Sequence, residues 1–204
     1  RIKITKAGKS FGYGRLMEVL EPSEYRVEPR CPIARKCGGC QIQEMSYEAQ
    51  FAFKEKKVQN NLERIGKIAP SEYEMCTIIG MDEPYNYRNK AQYPVGLDKD
   101  GRIVMGFYAG RTHSIIPCED CAIGDKINSE ILAIVKSHME EFHIHPYNEE
   151  THKGVVRPVL IRRGFTTNQV MVCIIVNGSE LKGSTKLVER LSAIEGMTSI
   201  SINI

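Results

Sequence analysis

Three cysteines fall in one run, Cys31-Pro32-Ile33-Ala34-Arg35-Lys36-Cys37-Gly38-Gly39-Cys40, with C-x5-C-x2-C spacing. Soft thiolates grouped within one short loop are the donor set of a metal centre. Gly38 and Gly39 are expected to let the loop curl around that centre through positive φ. A four-ligand site needs one more donor, and Cys118 and Cys121 stand far downstream as candidates. A site shared by both groups ties residue 31 to residue 121, so the front half of the chain must fold around it. Cys76 and Cys173 lie in apolar stretches that read as strands, and both are expected to be buried small hydrophobes.

The chain has 204 residues, enough for one or two domains with a real core. Its 42% hydrophobic and 26% charged residues are ordinary for a globular protein. No apolar run approaches the roughly 18 residues of a membrane helix. No signal peptide is visible, because Arg1-Ile2-Lys3-Ile4-Thr5 already alternates like a strand. Seven cysteines in such a chain point to a reducing, cytoplasmic setting where thiols serve a metal, with disulfides as the rival. A net charge of +3 decides nothing about partners, so local clustering of cations matters more.

Residues 1–29 read as short strands and turns that begin in mid-domain. Residues 30–45 form the cysteine loop. Ser46 is a good N-cap for a helix over 47–66, with Phe51, Val58, Leu62 and Ile65 on one stripe and Gly66 as C-cap. Strands are expected at 74–79, 87–97, 102–108 and 113–116, with a hairpin turn at Asp98-Lys99-Asp100-Gly101. A helix over 125–142 should bury Ile127, Ile131, Ile134, Val135 and Phe142. Strands at 155–163 and 169–176 flank a turn, a helix covers 181–194, and 198–204 alternates again. Strands interleaved with helices over 74–204 predict an α+β or α/β arrangement.

Two metals suit the cysteines. Cys37-x2-Cys40 with Cys118-x2-Cys121 has the knuckle spacing of a zinc ribbon, and spacing alone leans that way. Cys31, Cys37 and Cys40 with one distal cysteine suit an iron–sulfur cluster. A second constellation is cationic and aromatic: Tyr87, Arg88, Asn89 and Lys90, then Arg111 and His113, then Arg162 and Arg163, with Lys54 and Lys57 on the first helix. Such side chains stack bases and grip phosphates, although exposed strand and helix faces often look alike. There is no glycine-rich dinucleotide loop, no Walker lysine and no H-E-x-x-H, and no catalytic residue is assigned.

Several motifs in order resemble one family: Arg26-Val27-Glu28-Pro29-Arg30-Cys31-Pro32, Cys37-Gly38-Gly39-Cys40-Gln41, Tyr47-x2-Gln50-x3-Lys54-x3-Val58, Tyr87-Arg88-Asn89-Lys90 and Gly106-Phe107-Tyr108. The family is the iron–sulfur branch of the RNA uracil-C5 methyltransferases, which includes bacterial 23S rRNA (uracil-5-)-methyltransferases. The resemblance implies a TRAM domain of OB type, a central 4Fe-4S domain and a C-terminal Rossmann-like methyltransferase domain. Residues 1–29 then correspond to the tail of the TRAM barrel. Residues 30–204 correspond to the central domain, with the cluster loop at 30–45, the helix at 47–66 and the α/β part at 74–204. Cys121-Ala122-Ile123 matches the step carrying the fourth ligand, so the implied set is Cys31, Cys37, Cys40 and Cys121, and cluster replaces zinc as the expectation.

In the family, a cysteine attacks C6 of uridine, C5 takes a methyl group from S-adenosylmethionine, and a base removes the C5 proton. The loop, cysteine and glutamate that do this have no counterpart here, so the chain is expected to be a fragment, inactive alone, whose Rossmann-like domain is missing. Thr112 replaces the serine common before the histidine, which keeps the hydroxyl. The expected partner is rRNA with a looped or single-stranded uridine, and the expected protein is a cytoplasmic monomer with no membrane contact. The rival readings are a stand-alone zinc-ribbon RNA-binding module and an iron–sulfur electron carrier.

Overall fold

The computed structural model describes residues 1–110 and 112–204. Arg111, one of the expected RNA contacts, lies outside the described residues. The chain forms two compact units, residues 1–29 with 42–79 and residues 30–41 with 80–204.

In the first unit, β1 (Ile2–Ala7) and β2 (Gly12–Leu16) pair antiparallel, with Ile2 opposite Leu16 and an irregularity between Ile4 and Lys6. Ser46 caps α1 (Tyr47–Asn60), its hydroxyl accepting from Ala49 N–H at 3.3 Å. The helix widens into a π turn over Asn61–Ile65. Gly66 closes it with φ −72°, and the left-handed residue is its neighbour Lys67, φ 58°. The expected apolar stripe does not become core: α1 buries no residue, and Val58 and Ile65 are 50% and 77% exposed. Polar contacts hold this unit instead, among them Arg26 with Glu44 at 2.5 Å and Ser46 N–H to Tyr25 C=O at 2.8 Å.

Residues 74–79 were expected as a strand, but they form none. Ile78 N–H donates to the Glu55 carboxylate at 2.7 Å, so a helix side chain satisfies the backbone that a ladder would have paired. Cys76 is consequently exposed rather than buried, and Cys173 on the eighth strand is only half-buried.

The second unit carries the core. Its four-stranded sheet has the order β3 (Lys90–Tyr93), β7 (Val156–Arg163), β8 (Val170–Val176), β9 (Met197–Asn203). The first three strands are antiparallel, and β9 returns parallel to β8 through α3 (Ser184–Ser192). A three-stranded antiparallel sheet joins β4 (Val95–Leu97), β5 (Ile103–Tyr108) and β6 (Ile115–Pro117). The single strand expected over 87–97 is therefore two. Pro94 lacks the N–H a continuous ladder needs, and the pieces on either side of it join different sheets. The expected hairpin forms, with Gly101 at φ 77° and the Asp98 carboxylate accepting from the N–H groups of Asp100 and Arg102 at 2.9 Å.

One face of the larger sheet is core. Ala91, Tyr93, Val159, Ile161, Val170, Val172 and Ile174 pack with residues of α2 (Ile127–Glu141) and α3. Of the expected α2 core, Ile131 and Val135 are fully buried, whereas Ile127, Ile134 and Phe142 are partly so. Two polar residues share that buried face. Asn128 donates from Nδ2 to Tyr93 Oη at 3.1 Å, and His138 donates from Nε2 to the Lys182 carbonyl at 3.0 Å. Burial raises the Tyr93 hydroxyl pKa, so it stays protonated.

His138 is fully buried, and its Nδ1 has no partner among the described residues. Desolvation lowers its pKa, the Lys182 carbonyl opposes that shift, and of the smaller fields Arg190 and Lys186 lower it further while Glu141 raises it. The unfolded chain therefore binds this proton more readily than the folded one, and stability falls as pH drops below the ordinary histidine range. Melting temperatures between pH 7.5 and 5.5 should fall further in the native chain than in His138→Gln. Equal slopes would refute this assignment.

Candidate functional site

Within the second unit, the loop of residues 30–41 docks beside the end of β5. Cys37 bridges Ala109, and Gly38 N–H donates to Tyr108 C=O at 3.0 Å. A Cβ on Gly38 would stand 3.1 Å from both Gly110 Cα and the Tyr108 carbonyl oxygen. Neither Gly38 nor Gly39 has positive φ, so the expectation of a left-handed curl fails. Glycine is needed at residue 38 because two backbones touch there.

This docking brings the distant cysteines within range of one another. The Cys37 thiol pKa is raised, mainly by burial, with further upward pushes from Cys40, Cys121 and Cys31, while Gly39 N–H donates to its sulfur at 3.4 Å. Cys118 is buried and donates its S–H to Cys121, which raises its own pKa. Cys121 is the acceptor. The Cys118 thiol, the N–H groups of Ile123 and Gly124, and the Arg88 charge lower its pKa to about 6 against the pull of burial. Arg88 also donates its backbone N–H to Ile123 C=O at 2.9 Å, and Asn86 Nδ2 donates to Gly124 C=O at 2.7 Å. The Tyr-Arg-Asn-Lys segment thus braces the turn that holds Cys121.

The donors are soft, two loops present them, and N–H groups back the sulfurs, which is the chemistry of a thiolate-held centre. Among the described residues no three His, Cys, Asp or Glu side chains converge as a ready cage for one ion. One zinc ion would need ligands converged at about 2.3 Å, whereas a cluster takes one thiolate at each iron.

The expected RNA contacts divide by what they already touch. Lys54 and Lys57 are exposed on α1 of the first unit. In the second unit Tyr87, Arg88, Asn89 and Lys90 are exposed, and His113 meets Tyr108 edge-on at 5.6 Å. Arg162 is exposed on β7 opposite Lys90, and neither has an ion-pair partner among the described residues. Arg163 differs: its guanidinium donates to both oxygens of Asp125 at 2.9 and 3.0 Å and to Asn168. Lys90 and Arg162 line a groove of about 380 Å³. Thr167, Gln169, Thr198 and Ser199 complete it, and no chemical motif in the sequence marks those four.

No protein-family profile matches the chain. It is 43% identical over 205 residues to an uncharacterized RNA methyltransferase of Halalkalibacterium halodurans, covering all of this chain and 44% of that protein. Uncharacterized RNA methyltransferases of Clostridium tetani and Clostridium acetobutylicum are 40% and 41% identical, over 99% and 100% of this chain and 43% and 44% of theirs. Along its whole length, this chain is similar to bacterial RNA methyltransferases. It spans less than half the length of the relatives it matches. The fold is similar to that of the Pyrococcus abyssi tRNA (uracil-54, C5)-methyltransferase, solved with S-adenosyl-L-homocysteine. The TM-score is 0.67 at 24% identity, covering 91% of this chain and 40% of that one. Among the described residues no helix is long and apolar enough to cross a membrane.

Proposed function

We propose that these residues are the substrate-handling part of an S-adenosylmethionine-dependent RNA methyltransferase that makes 5-methyluridine in rRNA. The observation that carries the reading is the docking of the 30–41 loop against β5, with Cys37 bridging Ala109 and Gly38 N–H donating to Tyr108 C=O, which brings the early cysteines into the same unit as Cys118 and Cys121. Similarity to RNA methyltransferases over the whole chain supports the reaction class, and the fold shared with a uracil-C5 enzyme supports the base. Cys31, Cys37, Cys40 and Cys121 would hold a 4Fe-4S cluster, and β1 and β2 belong to a TRAM-like barrel.

In this reading the cluster supplies a cross-link between loop and sheet. The chain's own residues do the rest. Exposed cations hold the phosphates of a looped strand, and Tyr87 offers a ring for stacking. A looped uridine leaves its stack at lower cost than a paired one, which suits an enzyme that must take the base into a pocket. S-adenosylmethionine binding and methyl transfer fall to residues outside these 204, so this stretch alone is expected to transfer no methyl group.

Absorption with iron and sulfide analysis on anaerobically purified protein tests the centre. The expected result is a broad band near ~400 nm and about four irons per chain. A colourless protein with about one zinc per chain would overturn the cluster and leave a zinc-ribbon RNA-binding module.

A further inference from the structure

The larger sheet has one face in the core and one face that neither α2 nor α3 covers. Side chains alternate along each strand, so the register fixes what that second face displays. Lys90, Arg162, Met171 and Ser199 lie in one row across all four strands, and Gln92, Leu160, Cys173 and Ser201 lie in the next. The Gly164–Asn168 turn joins β7 and β8 just beyond the middle of the first row, and Gly164 and Thr167 of the turn line the groove with residues of the sheet. Lys90 and Arg162 stand at one side of it, apolar Met171 is in the middle, and hydroxyls of Thr198 and Ser199 are at the other. No carboxylate lines the groove.

Several other cations of this unit are already paired. Arg157 pairs with Glu149, Arg102 with Asp98 and Asp100, and Lys186 and Arg190 share Glu141. Arg163 is held by Asp125, whose side chain is only 8% exposed, and so braces the groove wall without spending its charge on a ligand. Lys90 and Arg162 are left unneutralised side by side. The second cavity, about 620 Å³, includes Glu180 in its wall, and its Lys182 already donates to the Phe142 carbonyl.

We infer that this groove is a phosphodiester site that grips one strand of RNA along the open sheet face. Lys90 and Arg162 take phosphate oxygens, and the hydroxyl and amide groups opposite take sugar and base edges. The inference rests on the RNA-methyltransferase reading and adds to it a path for the strand. Paired cations suit a polyanion, hydroxyls and Gln169 suit polar ribose and base edges, and the apolar floor suits the flat face of a base. A single strand is the form that presents all three groups at once, because a duplex hides its base faces.

The test is the salt dependence of binding by the 204-residue chain to a fluorescent single-stranded RNA 20-mer, with the same sequence as a duplex for comparison. Each phosphate contact on a single strand contributes about 0.7 to the slope of log affinity against log salt. Lys90→Ala with Arg162→Ala should flatten that slope by about 1.4 and weaken binding roughly tenfold. Lys153→Ala with Lys182→Ala, at the other cavity, should change neither, and melting temperatures should show both variants folded. If the native chain binds RNA but the Lys90/Arg162 variant keeps its slope, the groove is wrong and the RNA reading stands. If the native chain binds neither RNA form, both fall. Duplex binding as tight as single-strand binding, with the same slope loss, would overturn the single-strand assignment.

Discussion

Gly106→Ala is expected to destabilise the second unit by at least about 3 kcal/mol, at the upper end of what overpacking costs. Gly106 lies on β5 opposite Pro117 of β6. A Cβ built there would run into the Ile116 carbonyl oxygen and stand 2.8 Å from Cys118 N and 2.9 Å from Ile116 C. All three are backbone atoms, so no side chain can rotate away. The strand pair must part, and with it the Cys118 N–H bond to Met105 C=O at 3.0 Å. Chemical denaturation should show the midpoint shifted at unchanged slope. Gly101→Ala is the contrasting substitution: nothing lies within 4 Å of its added Cβ, and only the strain of φ 77° remains, roughly 1 kcal/mol. Comparable losses at both positions would contradict the close-approach argument.

The second large effect concerns the proposed cluster. With about four irons per chain as that proposal requires, Cys121→Ser should reduce iron to near zero, whereas Cys118→Ser should retain most of it. Cys118 is buried, and its backbone is tied into the β5–β6 ladder. Cys121 sits in a turn at intermediate exposure, with the N–H groups of Ile123 and Gly124 beside its sulfur. That arrangement stabilises a thiolate and matches the hydrogen bonding that supports ligating sulfur. Iron analysis and the visible spectrum of the two purified variants decide the matter. Iron kept by Cys121→Ser and lost by Cys118→Ser would exchange the two roles.

The core of the second unit was legible because its signals are local. The alternation in β7 and β8 and the Asp-Gly turn each act within a few residues, as does the Ser46 cap in the first unit. The failures came where a distant partner decided the outcome. Residues 74–79 read as a strand, yet Glu55 supplies the acceptor that makes a ladder unnecessary. The α1 stripe has helical spacing, but spacing does not say whether anything packs on it, and nothing in its own unit buries it. The cysteines were legible as a group, whereas the reason for Gly38 was not, because Gly110 and Tyr108 are what it touches. Arg162 and Arg163 are neighbours in sequence with opposite circumstances, one open and one held by Asp125, and only the register separates them. Asn128 and His138 were missed for a related reason: polar residues on a helix read as solvent-facing until Tyr93 and the Lys182 carbonyl are seen beside them.

The loop-to-sheet docking has a temporal side. Cys40 leaves the ribosome well ahead of Cys121, and at about 5–20 residues per second that separation in the chain lasts roughly 4–16 s. Throughout that interval three thiols travel on an emerging chain without the strand that shelters them. Synthesis speed then competes with oxidants, and slow translation between residues 40 and 121 should raise the fraction of chains whose early cysteines are oxidised before the loop docks on the sheet.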